Sequence, residues 1–135
     1  MKQAAFVILL ALVLAAQDFP RRTPPFPTRP EIVLPPNDIL KIDSKHYRLE
    51  FENERARALR VTLGPGETVP MHNAEAATLV CLTECHVRFT PPNGRVEDVH
   101  MEAGQTRWIW DENRSEKNLS THPVEMLLIE FKKPR

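Results

Sequence analysis

The segment 59–75, LRVTLGPGETVPMHNAE, constrains the fold of this chain more than any other stretch. Its first five residues alternate between apolar and polar side chains, which is the pattern of a β-strand with one buried face. In the Gly64-Pro65-Gly66 sequence that follows, proline presets φ to about −65° and the second glycine can adopt the positive φ that a tight turn requires. A second strand then carries His72 toward the interior. The segment therefore predicts a β-hairpin that presents a histidine inside the domain.

The chain from His46 onward continues this pattern of short strands. Residues 47–52 alternate strictly, and the Asn93-Gly94 pair is a strong signal for a turn between two strands. Short strands at intervals of about 8–12 residues are typical of sandwiches and barrels. A further short element is expected over 37–42, where three aliphatic residues favour burial. The predicted strands cover 47–52, 56–63, 68–72, 78–82, 86–90, 96–101, 106–110 and 123–131.

The segment 59–75 resembles the first motif of the cupin family of small jelly-roll barrels. In a usual cupin this motif has a glycine, a His-x-His sequence and a glutamate a few residues later. These side chains commonly hold a metal together with a third histidine from a downstream motif. Here the glycines and His72 match, but Ala74 occupies the second histidine position and the glutamate position falls at Thr78 or Leu79.

A second stretch, 104–118, resembles the downstream motif of the same family. It begins with Gly-Gln-Thr-Arg-Trp and ends in Asn118, at the position of the motif's closing asparagine. Arg114 stands four residues before Asn118, where the third histidine would be. Trp110 and Glu112 replace the proline and glycine of the usual Pro-x-Gly sequence.

The resemblance covers about residues 46–131 and implies an all-β, cupin-like jelly-roll barrel, also described as a double-stranded β-helix. Because one of the family's four ligands is retained, we expect no cofactor. The alternative is one divalent transition metal with rearranged ligands, which requires about three protein side chains to converge. The candidates for that set are His72, Glu75 and His100, with Cys81 as a substitute for His100.

The N-terminal residues 1–16 are typical of a secretory signal peptide. Lys2 is followed by an apolar run over 4–14, and small residues suit cleavage after Ala15 or Ala16. The run is shorter than the ~20 residues of a membrane span, although an uncleaved anchor is the alternative. We therefore expect a secreted or periplasmic protein with no membrane span after cleavage.

Residues 17–36 are interpreted as a proline-rich linker, and 37–135 as the barrel domain. Seven of the chain's 13 prolines lie in the linker, which favours extended polyproline conformations and cannot bury a core. A docking role for residues 24–27 is the alternative to a solvated tether.

Four side chains are candidates for binding a small molecule. Trp108 and Trp110 share one face of a predicted strand, and paired indoles can stack on a sugar or another ring; core packing is the alternative for Trp108. Arg114 either brings a guanidinium to the barrel mouth, where it would bind a carboxylate or phosphate, or points to solvent with its polar neighbours. Together with His72 these residues form the predicted ligand-binding set, and no catalytic residue is predicted.

Cys81 and Cys85 lie across a predicted hairpin with a C-x3-C spacing. Export leads to an oxidising compartment, and a tight turn brings two Cα atoms within the about 7 Å that a disulfide needs. Two free thiols, Cys81 in the core and Cys85 at the turn, are the alternative.

Three classes of function fit this sequence. The first is an exported, non-catalytic cupin-like domain that binds a small polar or acidic molecule or serves as an assembly module. The second is a metal-dependent cupin enzyme, a dioxygenase or an isomerase, with rearranged ligands around His72. The third is a structural partner domain tethered by the linker. A homodimer is expected, whereas 18 basic and 18 acidic residues give no indication of a nucleic-acid partner.

Overall fold

A computed structural model of the chain describes residues 33–133. The predicted signal peptide, 1–16, and most of the predicted linker, 17–32, lie outside the described residues. The last four linker residues, 33–36, are included, and the carbonyl oxygen of Pro35 accepts a 3.1 Å hydrogen bond from the backbone nitrogen of Asp38. Within 33–133, no helix has the length and apolar character needed to cross a membrane.

The regular structure of the described residues consists of one short helix and nine strands. Sheet A contains five strands in the order β1-β2-β9-β4-β7, and sheet B contains four in the order β3-β8-β5-β6. All strand pairs within the two sheets are antiparallel. Because the only helix among the described residues has four residues, the all-β prediction is confirmed. The elements are α1 (Ile39–Ile42), β1 (Tyr47–Glu52), β2 (Ala56–Leu63), β3 (Thr68–Ala74), β4 (Ala77–Cys81), β5 (Cys85–Thr90), β6 (Glu97–Met101), β7 (Thr106–Ile109), β8 (Glu112–Asn118) and β9 (Val124–Phe131).

The core lies between the inner faces of the two sheets. Strand β2 shows how it forms, because Leu59, Val61 and Leu63 are buried while Thr62 is exposed and Arg60 is half-buried. This is the burial that the alternation of apolar and polar residues predicts. Other strands contribute buried side chains in the same way, among them Val69, Ala77, Leu79, Val87, Phe89, Val99, Val124, Met126 and Leu128.

Helix α1 is the short element expected over 37–42. Asp38 caps it, since its Oδ1 atom accepts a 2.9 Å hydrogen bond from the backbone nitrogen of Leu40. Ile39 is buried in the core, and the helix packs against β1 and β3. The helix therefore covers one end of the barrel and brings the Asp38 carboxylate to that end.

The Gly-Pro-Gly turn between β2 and β3 is held by polar contacts. Gly66 has a φ of 72°, a left-handed conformation that other residues adopt only with strain. The backbone nitrogen of Gly64 donates to Glu67 Oε2 at 2.7 Å. Asn118, at the end of β8, donates from Nδ2 to the carbonyl oxygens of Leu63 and Gly64 at 3.0 and 3.1 Å. The closing asparagine of the second motif therefore fixes the turn of the first.

Strand β8 is missing from the sequence-based prediction. All its residues are polar, yet Arg114, Glu116 and Asn118 are only 1%, 1% and 0% exposed. Burial alternates along the strand without an alternation of hydrophobicity, and hydrophobicity is the signal on which strand prediction depends. The alternative in which Arg114 points to solvent is wrong for the same reason.

Candidate functional site

The four positions that hold metal ligands in a usual cupin all face the inside of this barrel. His72 and Ala74 in β3 are 5% and 6% exposed, and Leu79 in β4 and Arg114 in β8 are each 1% exposed. Thr78, the other position considered for the glutamate, is only half-buried and lies on the opposite face of β4. Of the four inward positions, only His72 offers a lone pair to a metal.

A buried ion pair lies beside His72. Arg114, which is paired directly with His72 across β3 and β8, donates from Nε to Glu116 Oε1 at 3.0 Å. Its Nη1 atom donates to the carbonyl oxygen of Trp110 at 3.3 Å, and its guanidinium carbon lies 4.8 Å from the centroid of the Phe89 ring. The Arg114 and Glu116 side chains are 2% and 1% exposed. The guanidinium therefore has internal partners on several sides.

Tyr47 and His72 complete this group. The Tyr47 hydroxyl donates to Glu116 Oε2 at 2.8 Å, and burial, together with the Glu116 charge, raises the pKa of Tyr47 well above its usual value. His72 Nδ1 lies 3.0 Å from the carbonyl oxygen of Pro70, which can only accept, so Nδ1 carries the proton. His72 Nε2 lies 3.9 Å from Glu116 Oε1. Tyr47, His72, Arg114 and Glu116 are called the central cluster below.

The alternative metal set is not assembled. His72 faces the barrel interior, whereas the His100 side chain on β6 is 65% exposed. Glu75 lies at the end of the barrel, and Cys81 is in a disulfide. Among the residues that the structure describes, no group of three His, Cys, Asp or Glu side chains is placed to hold a metal ion.

A charged cavity of about 370 Å³ lies at the end of the barrel where β2 begins and β9 ends. Arg57 in its wall donates from Nη1 to Asp38 Oδ2 at 2.6 Å and from Nε to Glu130 Oε2. Burial raises the pKa of Glu130, although the neighbouring Arg57 opposes that shift. Glu75 and Lys132 add further charges to the wall. This space is called the mouth cavity below.

The four predicted ligand-binding residues fall into two separate pairs. His72 and Arg114 are buried in the central cluster, whereas Trp108 and Trp110 are 42% and 73% exposed. The Trp108 ring centroid lies 5.8 Å from that of Trp110 and 6.0 Å from that of Phe131. Core packing of Trp108 is therefore wrong. Trp108, Trp110 and Phe131 form an aromatic surface cluster at the edge of sheet A.

Cys81 and Cys85 are joined by a disulfide bond, with their Cα atoms 6.0 Å apart. Both residues are fully buried. Because Cys81 ends β4 in sheet A and Cys85 begins β5 in sheet B, the bond ties the two sheets together within the core.

Sequence reasoning does not identify Glu116 and Tyr47 as members of the central cluster. The spacing of Arg114, Glu116 and Asn118 at every second residue is the one signal in the sequence, since it places three polar side chains on one face of a strand. The sequence pattern predicts that Tyr47 is an ordinary core residue, because its ring belongs to the apolar face of β1. Only its hydroxyl contacts Glu116.

Solved structures of cupins share this fold. A cupin domain from Bordetella pertussis Tohama I matches with a TM-score of 0.59 and 18% identity, over 64% of this chain and 92% of that chain. An RmlC-like cupin family protein with a double-stranded β-helix fold from Methanocaldococcus jannaschii matches with a TM-score of 0.50 and 16% identity, over 66% and 83%. The Cupin_2 domain of an XRE family transcriptional regulator from Enterobacter cloacae matches with a TM-score of 0.50 and 15% identity, over 66% and 96%. No protein-family model and no curated protein matches the sequence. The structural likenesses confirm that the chain has the cupin fold.

Proposed function

We propose that this chain, a protein of the cupin fold, is an exported, non-catalytic domain that binds a small polar molecule without a metal. The observation that carries the proposal is the buried hydrogen bond of 3.0 Å between Arg114 Nε and Glu116 Oε1. A guanidinium at a ligand position repels a cation, and the repulsion is stronger in the interior than in water. The same contact neutralises Glu116, the carboxylate that lies nearest to His72 in the central cluster.

The central cluster gives the barrel interior internal cross-links of its own. Glu116 in β8 accepts hydrogen bonds from Arg114 in the same strand and from Tyr47 in β1. Since β8 belongs to sheet B and β1 to sheet A, the carboxylate connects the two sheets. Buried charges that are paired and hydrogen-bonded in this way are tolerated in a core. In the proposal, the interior therefore has a structural role and the ligand binds elsewhere.

The mouth cavity is the proposed ligand site. Its volume of about 370 Å³ lies within the range of about 300–1,000 Å³ that is usual for small-molecule sites. Its wall carries charges of both signs, with Glu75 and Glu130 among the acids and Arg57 and Lys132 among the bases. Because Arg57 already has two carboxylate partners, the lining favours a polar or zwitterionic molecule over a strong acid.

Amide-resolved NMR titrations test this assignment with amino acids, dicarboxylic acids and monosaccharides as probes. We expect at least one probe to shift the amides of Glu52, Arg57, Glu75 and Glu130, and Glu75→Gln to weaken its binding. Glu54→Gln, an exposed carboxylate in the turn before β2, is the matched control. Shifts confined to other surfaces would contradict the mouth cavity as the site.

Elemental analysis separates the proposal from the metal-dependent enzyme. Protein purified without a chelator or a histidine tag is expected to carry far less than one equivalent of iron, manganese, zinc, nickel or copper. One equivalent per chain that disappears in His72→Ala would refute the proposal and support the enzyme.

Export is a separate part of the proposal and rests on residues 1–16. We expect the mature protein in its native host to begin near Ala16 or Gln17. N-terminal sequencing decides this, and an intact Met1 on soluble cytosolic protein would contradict it.

The aromatic surface cluster favours a second candidate function, an assembly module or homodimer. Trp108, Trp110 and Phe131 are 42%, 73% and 56% exposed beside β7, an edge strand of sheet A. Aromatic side chains are enriched in protein interfaces. Light scattering after size-exclusion chromatography tests this: a dimer that dissociates in Trp110→Ala supports an interface here, and a wild-type monomer contradicts the homodimer.

A further inference from the structure

The mouth cavity and the aromatic surface cluster share one residue, Phe131. Its side chain lines the cavity, and its ring is stacked on that of Trp108 with the ring planes inclined by 26°. Because residues alternate between the two faces of β9, Glu130 is buried in the cavity wall while Phe131 is 56% exposed. A molecule in the cavity can therefore contact an aromatic ring and a buried carboxylate at the same time.

The carboxylates of the cavity wall outnumber its bases, since four acidic and three basic side chains line the space. Arg57 is shared between Asp38 and Glu130, which leaves this group with one surplus negative charge. Glu75 forms no ion pair with any residue of 33–133. Burial raises the pKa of Glu130, and the charges of Glu75 and Asp38 oppose its ionisation further. The wall therefore keeps an excess of negative charge after its internal pairing.

Glu52 adds a hydrogen-bond acceptor that the wall does not use. Its Oε1 atom lies 2.5 Å from Lys132 Nζ, whereas its Oε2 atom is buried and has no hydrogen-bond partner among the described residues. A buried acceptor without a partner destabilises a protein, and a donor that reaches it removes that cost. Lys133, the third base of the wall, is exposed, so its charge acts through water and is weakened there. The wall is therefore better suited to a ligand with N–H donors than to one with acceptors.

We propose that the ligand of the mouth cavity is an organic ammonium ion, with its charged nitrogen beside Glu75 and Glu130 and its carbon body against Phe131. This inference rests on the mouth cavity being the ligand site of the proposed function, and it names the class of molecule bound there. The excess carboxylate charge attracts a cation, more strongly in a cleft with low-dielectric walls than in water. The face of an aromatic ring attracts a cation as well. An anion of the same shape is repelled by the carboxylates.

Isothermal titration with three probes of nearly the same shape tests the sign of the charge. Phenethylamine is a cation, 2-phenylethanol is neutral and phenylacetate is an anion at neutral pH. We expect phenethylamine to bind at least about fivefold more tightly than 2-phenylethanol, which is the effect of one ion pair even in water. Phenylacetate should bind more weakly than the alcohol. Equal affinities for the cation and the alcohol, or tightest binding of the anion, would overturn the ammonium assignment.

Two variants at exposed positions test the contacts of phenethylamine. Glu75→Gln should weaken its binding about fivefold and leave the affinity for 2-phenylethanol unchanged, which a merely structural effect would not do. Phe131→Leu should weaken it about two- to fivefold, as the loss of an exposed cation–π contact does. The matched controls are Glu54→Gln and Phe51→Leu, exposed residues outside the cavity wall that should have no effect. Unchanged affinity for phenethylamine in both cavity variants would overturn the proposal.

Amide-resolved NMR with the same three probes separates failure of this inference from failure of the proposed function. On the unmodified chain we expect phenethylamine to shift the amides of Glu75, Glu130 and Phe131. If amino acids or monosaccharides shift these amides and phenethylamine does not, the ammonium assignment is overturned and the mouth cavity remains the ligand site. If every probe that binds shifts only other surfaces, the mouth cavity is overturned as the site, and the ammonium assignment with it.

Discussion

Arg114 Nε donates to Glu116 Oε1 at 3.0 Å, two residues along the same strand, and both side chains are almost completely buried. Charges removed from water lose several kcal/mol of hydration each, and the loss is offset only when the partner and further hydrogen bonds are well placed. Here the Tyr47 hydroxyl binds the second carboxylate oxygen, and the Trp110 carbonyl binds the guanidinium. The pair is therefore integrated into a network, and its two members depend on each other.

Removal of one member of the pair should destabilise the protein strongly. Arg114→Met leaves the Glu116 carboxylate buried without a counter-charge, and such changes cost about 3–5 kcal/mol. Arg114→Met combined with Glu116→Leu should cost less than Arg114→Met alone, because no uncompensated charge remains. Urea unfolding measures both, with Arg48→Met at an exposed ion pair as the control that should change stability by less than about 1 kcal/mol. A cost below about 1 kcal/mol for Arg114→Met would contradict the buried-pair interpretation.

Strand positions follow from the sequence wherever the inner face is apolar. Strand β2 occupies 56–63 as predicted, because Leu59, Val61 and Leu63 alternate with polar residues and face the core. Strand β8 cannot be predicted from an apolar inner face, because its inner face consists of Arg114, Glu116 and Asn118. The buried network that makes these residues acceptable in a core involves partners far apart in the sequence. Local patterns cannot reveal such partners.

The candidate site is predicted only in part for a related reason. The spacing of the motifs places His72 inside the barrel correctly, because strand alternation determines the face on which a side chain lies. The mouth cavity depends on Asp38, Arg57 and Glu130, which meet only after α1 and the ends of β2 and β9 come together. Trp108 is exposed because it lies on the outer face of β7, whereas its neighbour Ile109 is buried. Strand alternation cannot assign the two faces here, because each face carries an apolar residue.

The disulfide between Cys81 and Cys85 should be present in exported protein. It closes a loop of five residues, for which chain entropy predicts about 2 kcal/mol of stabilisation. Cys81→Ala combined with Cys85→Ala should therefore lower the free energy of unfolding by at least about that amount. Mass spectrometry after alkylation should label neither thiol without reductant and both after reduction and denaturation. Two alkylated cysteines in non-reduced protein would overturn the assignment.

The Glu67 carboxylate should stabilise the fold at neutral pH and lose this effect in strong acid. Its pKa is held at about 2 by hydrogen bonds from Lys45, from the backbone of Gly64 and from His46, the first of these being the largest cause. A lowered pKa in the folded state means that the ionised carboxylate stabilises the fold above the ordinary pKa of 4.5. This contribution should disappear as the pH falls from about 4.5 toward about 2.

Unfolding of wild type and Glu67→Gln across this pH range measures the contribution of Glu67. We expect the wild type to be more stable at neutral pH and the difference to shrink steadily below about pH 4.5. A difference that stays constant down to pH 2 would show that the carboxylate charge is not the cause.

Two substitutions should convert the barrel interior into a metal site. Ala74→His provides a second imidazole two residues after His72, on the same inner face of β3. Arg114→His removes the positive charge and supplies a third imidazole. Glu116, whose Oε1 atom lies 3.9 Å from His72 Nε2, then loses its guanidinium partner and can serve as a carboxylate ligand. The three histidines and the carboxylate would match the ligand types that zinc accepts.

Thermal unfolding with and without ZnCl₂ checks this conversion. A ligand at about 100 times its Kd stabilises the native state by about 2.7 kcal/mol, so the double variant should melt several degrees higher with zinc. Ala74→His alone is the matched control and should show no shift, because it retains the Arg114 guanidinium beside the new imidazole. An equal shift in that control, or none in a folded double variant, would show that Arg114 is not what excludes a metal from the barrel.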